Sequence, residues 1–252
     1  MQTGSMPPAN TRVLQRVAIV GAGRLGSALA IALADTEIGV EGPLGRDAHV
    51  SPAADAVLLC VPDSQLAAAA ATVPTGPLVG HCSGTCTLEP LGAHEAFSLH
   101  PLMPVTPAGA TFAGATAAIA GATPRALLAA EALALALQMR PRHVADADRA
   151  AYHAAASVAS NFLVTVEGLA ERLAASAGID REPLARLVRA SVENWARAGA
   201  AGALTGPIAR GDEATVARQR EALAQRLPED LELFDALTAA TRRLVAGGLV
   251  RA

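Results

Sequence analysis

Lysine is missing from this chain: every one of its 20 Lys+Arg residues is an arginine. A Schiff base and a lysine general acid or base are therefore excluded. Aromatic residues make up only 2% of the 252 residues, with one tryptophan and one tyrosine, whereas 52% are hydrophobic. Alanine, leucine and valine must then build the core, and the length suffices for one large domain or two modest ones. The three cysteines, Cys60, Cys82 and Cys86, do not read as a disulfide framework, because the number is odd and the chain is long. No block of one charge sign is present and the net charge is −3, which speaks against nucleic acid and anionic membrane as partners. The opening MQTGSMPPAN lacks a charged start followed by an apolar run, so it reads as a disordered leader and not a signal peptide. The apolar stretches are alanine-rich and broken by polar residues; no membrane span is expected, and the expected location is the cytoplasm.

What the first half does contain is VAIV, Val17 to Val20, running directly into GAGRLG and then the helical SALAIALADT. This is G-x-G-x-x-G after a strand and opening a helix, the context a dinucleotide site requires. Gly21 allows the tight turn, Gly23 lets the backbone approach a pyrophosphate, and Gly26 lets the helix pack on the strand. Ala22, Arg24 and Leu25 complete the loop, whose helix N-terminus offers N–H groups to phosphate. A second strand over 38–44 ends in GRD, with glycine where an NAD site usually carries its ribose acid. Arg46 is read as the partner of a 2′-phosphate, which points to NADP. A solvated Arg46 with Asp47 as the ribose acid, hence NAD, is the alternative.

AVLLCVPD and PLVGHCSG read as two further strands with turns at their carboxyl ends, where ligands bind in such sheets. Val61, Pro62 and Ser83 thereby become candidates for the nicotinamide side. His81, Cys82 and Cys86 in HCSGTC are candidate ligands, but a zinc site needs a fourth ligand nearby in the fold. A strand-end turn explains the segment, and no metal is expected. ATAAIAG, a helix over 124–139 and RPRHV continue the alternation, so residues 12–145 form a doubly wound parallel α/β sheet of Rossmann type. From 146 to 252 strand signals vanish. One long helix is expected over 146–176, then helices in EPLARLVRASVENWARAG, in EATVARQREALAQRL with Asp212 as N-cap, and in PEDLELFDALTAATRRLVAG. This all-α half, poor in aromatic bulk, is expected to dimerise with a second copy.

Several segments in order, VAIVGAGRLG, the VPD turn, HCSG, SLHPLMP, YHAAASVASNFL and ALTGPIARGDEATV, carry a resemblance that covers nearly the whole chain. The chain resembles a bacterial family of Rossmann-like proteins whose C-terminal helical domain is of unknown function. That family is similar in fold to pyrroline-5-carboxylate reductases, deazaflavin-linked NADP oxidoreductases and 6-phosphogluconate-type dehydrogenases. The resemblance implies an NADP-dependent oxidoreductase, usually dimeric, acting on a small carbonyl, hydroxyl or imine in a cleft between the domains. It departs from the 6-phosphogluconate-type enzymes, which need a helix lysine near an asparagine. Asn161 sits on the corresponding helix, and His153 stands as the acid that replaces the lysine. SLHPLMP is similar to the His-Pro turn of prephenate dehydrogenases, and by that likeness His100 is a second acid/base candidate, placed in a loop after the fourth strand. On one helical stripe His153, Ser157, Ser160 and Asn161 would face the nicotinamide. Arg210 is read as fixing its loop by pairing with Asp212 or as holding a substrate carboxylate. A different class of function also fits: a non-catalytic NADP-binding sensor that signals through the helical half.

Overall fold

The computed structural model describes residues 14–46, 48–107 and 109–249. The leader and Asp47 lie outside them. The chain divides into two compact units, one ending at Ser160 and one starting at Asn161.

The first unit is an α/β Rossmann-type fold. Its strands are β1 (Arg16–Val20), β2 (Gly39–Leu44), β3 (Ala56–Leu59), β4 (Leu78–His81), β5 (Ala96–Leu102), β6 (Thr116–Gly121) and β7 (Arg140–His143). They form one sheet in the order β2-β1-β3-β4-β5-β6-β7. All neighbours are parallel except β5 and β6, which run antiparallel. The central strands are buried on both faces, so β1, β3 and β4 read as near-continuous apolar runs split by period two, whereas the edge strands β2 and β7 hold no buried residue. Val17, Ile19, Leu58, Leu78, Phe97 and Leu99 pack on one face with the helices α1 (Arg24–Ala34) and α3 (Pro124–Ala136). Ala18, Val57, Leu59, Val79 and Ala96 pack on the other with α2 (Leu66–Ala71). Small strands and alanine-rich helices leave Phe97, fully buried, to fill the middle; its ring lies over Gly80.

Two expectations are corrected here. AFSLHPL is a strand, β5, so His100 lies within the sheet and not in a loop. A proline inside a run argues against a central strand, but pairing with β4 stops at Ser98 while β6 continues alone to Leu102. Pro101 therefore sits where the β4 side of the strand is open. The single helix expected over 146–176 is also broken. A 3₁₀ turn (Asp146–Asp148) leads into α4 (Arg149–Ser157), a π-helical segment spans Val158–Phe162, and α5 (Leu163–Ala175) follows. The π segment changes the angular step between residues, so the stripe drawn from His153 through Ser157 to Ser160 and Asn161 at 3.6 residues per turn does not hold.

The second unit holds α5, α6 (Arg181–Ala203), α7 (Glu213–Arg226) and α8 (Leu231–Leu249). Asp212 caps α7 by accepting from the Thr215 N–H at 3.0 Å. Leu169, Val216 and Leu223 supply a small core, and α6 has no buried residue along its length. Ion pairs such as Arg220 with Asp235, bidentate at 2.8 and 2.8 Å, tie α7 to α8. No helix among the described residues is long and apolar enough to cross a membrane.

Candidate functional site

The glycine turn is built as a phosphate cradle requires. Gly21 has φ 112°, and a Cβ there would stand 2.4 Å from the Cys60 carbonyl oxygen and 3.3 Å from Val61. A Cβ at Gly26 would come within 1.9 Å of the Gly21 oxygen. Side chains at either place would force the turn apart. At Gly23 a Cβ would meet nothing within 4 Å: that glycine borders open space. Gly23 is the N-cap of α1 and no side chain caps the helix, so the first-turn N–H groups of Arg24, Leu25 and Gly26 are left to an outside acceptor. These residues fit a dinucleotide pyrophosphate.

The other candidates follow along the same edge of the sheet, because β1 to β5 are parallel and point their carboxyl ends the same way. Arg46 follows β2, exposed and with no hydrogen bond or ion pair among the described residues. Val61 and Pro62 follow β3. Ser83 follows β4, and His100 lies in the last part of β5. Four strand steps of about 4.8 Å separate β2 from β5, roughly 19 Å in all. Ser83 is committed locally: its hydroxyl donates to Asp63 Oδ2 at 3.0 Å and accepts from the N–H groups of Thr85 and Cys86 at 3.2 and 3.0 Å. His81 is likewise occupied, accepting from the Ser83 N–H at Nδ1 (3.1 Å) and meeting the Thr87 carbonyl at Nε2 (2.9 Å). Both ring nitrogens are taken, which leaves His81 nothing to offer a metal.

His100 and His153 are brought together. Their ring centroids are 6.0 Å apart, and the Gly84 Cα lies between them: a Cβ there would be 2.6 Å from His153 Cδ2 and 2.9 Å from His100 Cε1 and Nε2. His100 Nδ1 shares a 2.8 Å hydrogen bond with the Tyr152 hydroxyl, the rings meeting edge to face. Burial first, and then the nearby charges of His153 and Arg149, hold His100 down to about pKa 4. Burial also raises the Tyr152 phenol and lowers His81. Neither His100 Nε2 nor either nitrogen of His153 has a hydrogen-bond partner among the described residues. Asn161, the third catalytic candidate, lies in the π-helical segment as the first residue of the second unit, exposed. Arg210 is exposed as well, and its charge contributes to holding the Asp212 carboxyl low, behind the hydrogen bonds from Thr215.

Sequence reasoning missed the residues that seat this pair. Arg149 is almost fully buried; its guanidinium donates to Ser98 Oγ, to Asp146 Oδ1 at 3.0 Å and to the Ser83 carbonyl at 3.5 Å. That pins α4 to the ends of β4 and β5, and α4 in turn presents Tyr152 and His153. Arg149, Tyr152 and His153 stand at i, i+3 and i+4, one helix face. That spacing was the available signal.

The family model for a domain of unknown function, DUF2520, matches residues 115–241, half of the chain. The chain belongs to the DUF2520 family. No curated protein matches its sequence. Solved structures similar to this DUF2520 protein include a candidate NADP oxidoreductase of Bacteroides fragilis, with TM-score 0.79 and 19% identity over 92% of this chain and 99% of that one. A 1-pyrroline-5-carboxylate reductase of Streptococcus pyogenes has TM-score 0.61 and 14% identity over 94% and 98%. A reductive aminase of Aspergillus terreus, in complex with NADPH and ethyl levulinate, has TM-score 0.63 and 18% identity over 93% and 95%. At these identities the likeness establishes the Rossmann-type fold with its helical C-terminal unit.

Proposed function

We propose that this protein is an NADP(H)-dependent oxidoreductase acting on a small carbonyl, hydroxyl or imine substrate. The observation that carries the reading is the row of groups along the carboxyl edge of the sheet. It runs from an exposed arginine with no partner among the described residues, through an uncapped helix N-terminus bordered by Gly23, to His100 Nε2 and His153, which have no hydrogen-bond partner among the described residues. Arg46 would take the 2′-phosphate and stack on the adenine. Gly21 to Gly26 would hold the pyrophosphate, and Val61 and Pro62 would border the nicotinamide, which supplies hydride chemistry when bound. His100 and His153 manage the substrate's proton and oxygen or nitrogen. The NADP-linked and NADPH-bound proteins that share the fold support the cofactor part of this reading.

Assembly and location belong to the same proposal. Leu187, Val192 and Trp195 are exposed on α6 at spacings of three to five, with half-buried Leu184 and Val188 beside them. This apolar stripe favours a homodimer through the helical unit. The free thiols of Cys60 and Cys82, their sulfurs 3.7 Å apart and unjoined, suit a reducing cytoplasm.

Titration of the purified protein with NADPH and with NADH, followed by nicotinamide fluorescence, tests the cofactor half. The expected result is tighter binding of NADPH, with the preference lost in Arg46→Ala. Preference for NADH would reverse the reading of Arg46. Binding of neither would remove the basis of the oxidoreductase claim, and binding without turnover of any carbonyl or imine would favour the sensor.

A further inference from the structure

The Tyr152–His100 hydrogen bond bears on which substrate the site accepts, given the oxidoreductase reading above. The phenol has one proton to donate, and among the described residues its partner is His100 Nδ1 at 2.8 Å. With no other acceptor for that proton, the arrangement that satisfies both groups has Tyr152 donating and Nδ1 accepting. At neutral pH His100 is a neutral imidazole, and an imidazole that accepts at Nδ1 carries its hydrogen on Nε2. That Nε2–H has no partner among the described residues, and it is not sealed in, since no buried side-chain nitrogen or oxygen lacks a partner among them. It opens beside Gly84, where any side chain would collide with it.

We propose that Tyr152 is a positioning residue that locks His100 as an Nε2–H donor, and that this fixed donor commits the site to carbonyl and alcohol chemistry. A carbonyl oxygen has lone pairs for the Nε2–H to hold. A protonated imine has none: it would set N–H against N–H. The surrounding charges act in the same direction. Arg149 and His153 both disfavour a further positive charge at His100, His81 adds to them, and Asp63 opposes them. Asp146 is paired with Arg149, and the pull of Asp63, which accepts from Ser83, is smaller than the opposing effects of His153 and Arg149.

In the reducing direction a bound reduced nicotinamide would supply hydride to the carbonyl carbon, being oxidised as it does so, and the C=O π pair would move to oxygen. One proton, delivered through His153 from solvent, would complete the alcohol. His100 keeps its proton throughout and stabilises the oxygen as charge develops there. In oxidation each step reverses.

The test begins on the protein without cofactor. In full-length protein labelled with nitrogen-15 histidine, long-range proton–nitrogen NMR at neutral pH should show His100 with a bare Nδ1 and a protonated Nε2; the signal is assigned by its loss in His100→Asn. In Tyr152→Phe, with the circular dichroism spectrum retained, the two tautomers should mix. A proton on Nδ1 in the wild type, or an imidazolium, overturns the lock. NADPH oxidation is then followed with a panel of aldehydes, ketones and 2-oxo acids, and separately with preformed cyclic imines such as 1-pyrroline. Turnover of carbonyls is expected, with kcat reduced roughly ten- to hundredfold in Tyr152→Phe and the Kd for NADPH unchanged. Turnover of imines alone, or of neither class, overturns the commitment to carbonyls. Failure to bind NADPH at all would instead sink the oxidoreductase reading and leave the NMR result standing.

Discussion

His100 couples the candidate site to the stability of the fold. Its ordinary pKa of 6.5 falls to about 4 in the folded protein, by burial first and then by the charges of His153 and Arg149. Between those values the unfolded chain binds a proton that the folded chain refuses. Stability is therefore complete above the ordinary histidine range, falls as the pH drops toward 4, and levels off below it. The full effect is on the order of 3 kcal/mol. His81, lowered by burial, adds a loss of the same sign. Urea unfolding at about pH 7 and about pH 4.5 should show a smaller pH-dependent loss in His100→Asn than in the wild type; equal losses would mean that His100 is not held neutral. The histidines could be picked out of the sequence because few chemical groups compete for acid/base work in a chain without lysine. Arg149 was marked only by its spacing to Tyr152 and His153, and its burial, which depends on Ser98, a strand residue 51 positions away, left no local sign.

At the scale of the element, β4 and β5 fit face to face through the absence of a side chain. A Cβ at Gly80 would stand 2.4 Å from two ring carbons of Phe97, which is fully buried and has nowhere to go. Gly80→Ala should cost about 1–3 kcal/mol in chemical denaturation, and adding Phe97→Leu should return part of that loss. Simple additivity of the two changes would show that the ring relaxes without strain. The first strand, glycine turn and helix were legible because each obeys a local rule: an apolar run, a G-x-G-x-x-G spacing, an alanine-rich helix. β5 was not. Its Ser98, His100 and Pro101 look like a turn when taken alone, and only the ladder with β6 from Phe97 to Leu102 makes them a strand. The helix register failed for a related reason: nothing in VASNF announces a π turn.

At the scale of the whole molecule, α6 is the element least explained by the chain itself. Leu187 and Trp195 are 64% and 56% exposed on a helix with no buried residue, an expensive way to leave apolar surface in water. Leu187→Glu combined with Trp195→Glu should convert a dimer to a monomer by light scattering while the sheet unit keeps its affinity for NADPH. A wild-type mass of one chain at micromolar concentration would rule the dimer out. Composition, with so few aromatics, pointed to a thin helical core and to pairing through the long alanine-rich helix over 146–176, not to α6. It gave no sign of where the two compact units divide, within the π turn at Ser160 and Asn161.

The antiparallel ladder of β5 and β6 has a consequence for heredity. The family signature starts at residue 115, just before β6, yet β6 is paired along its whole length with β5, which precedes that point. A gene fusion carrying only the signature would tear six residue pairs and leave a raw strand edge, the kind that seeds aggregation. The stretch that defines the family is thus not a self-contained module, because its first strand is completed by β5, which lies before it.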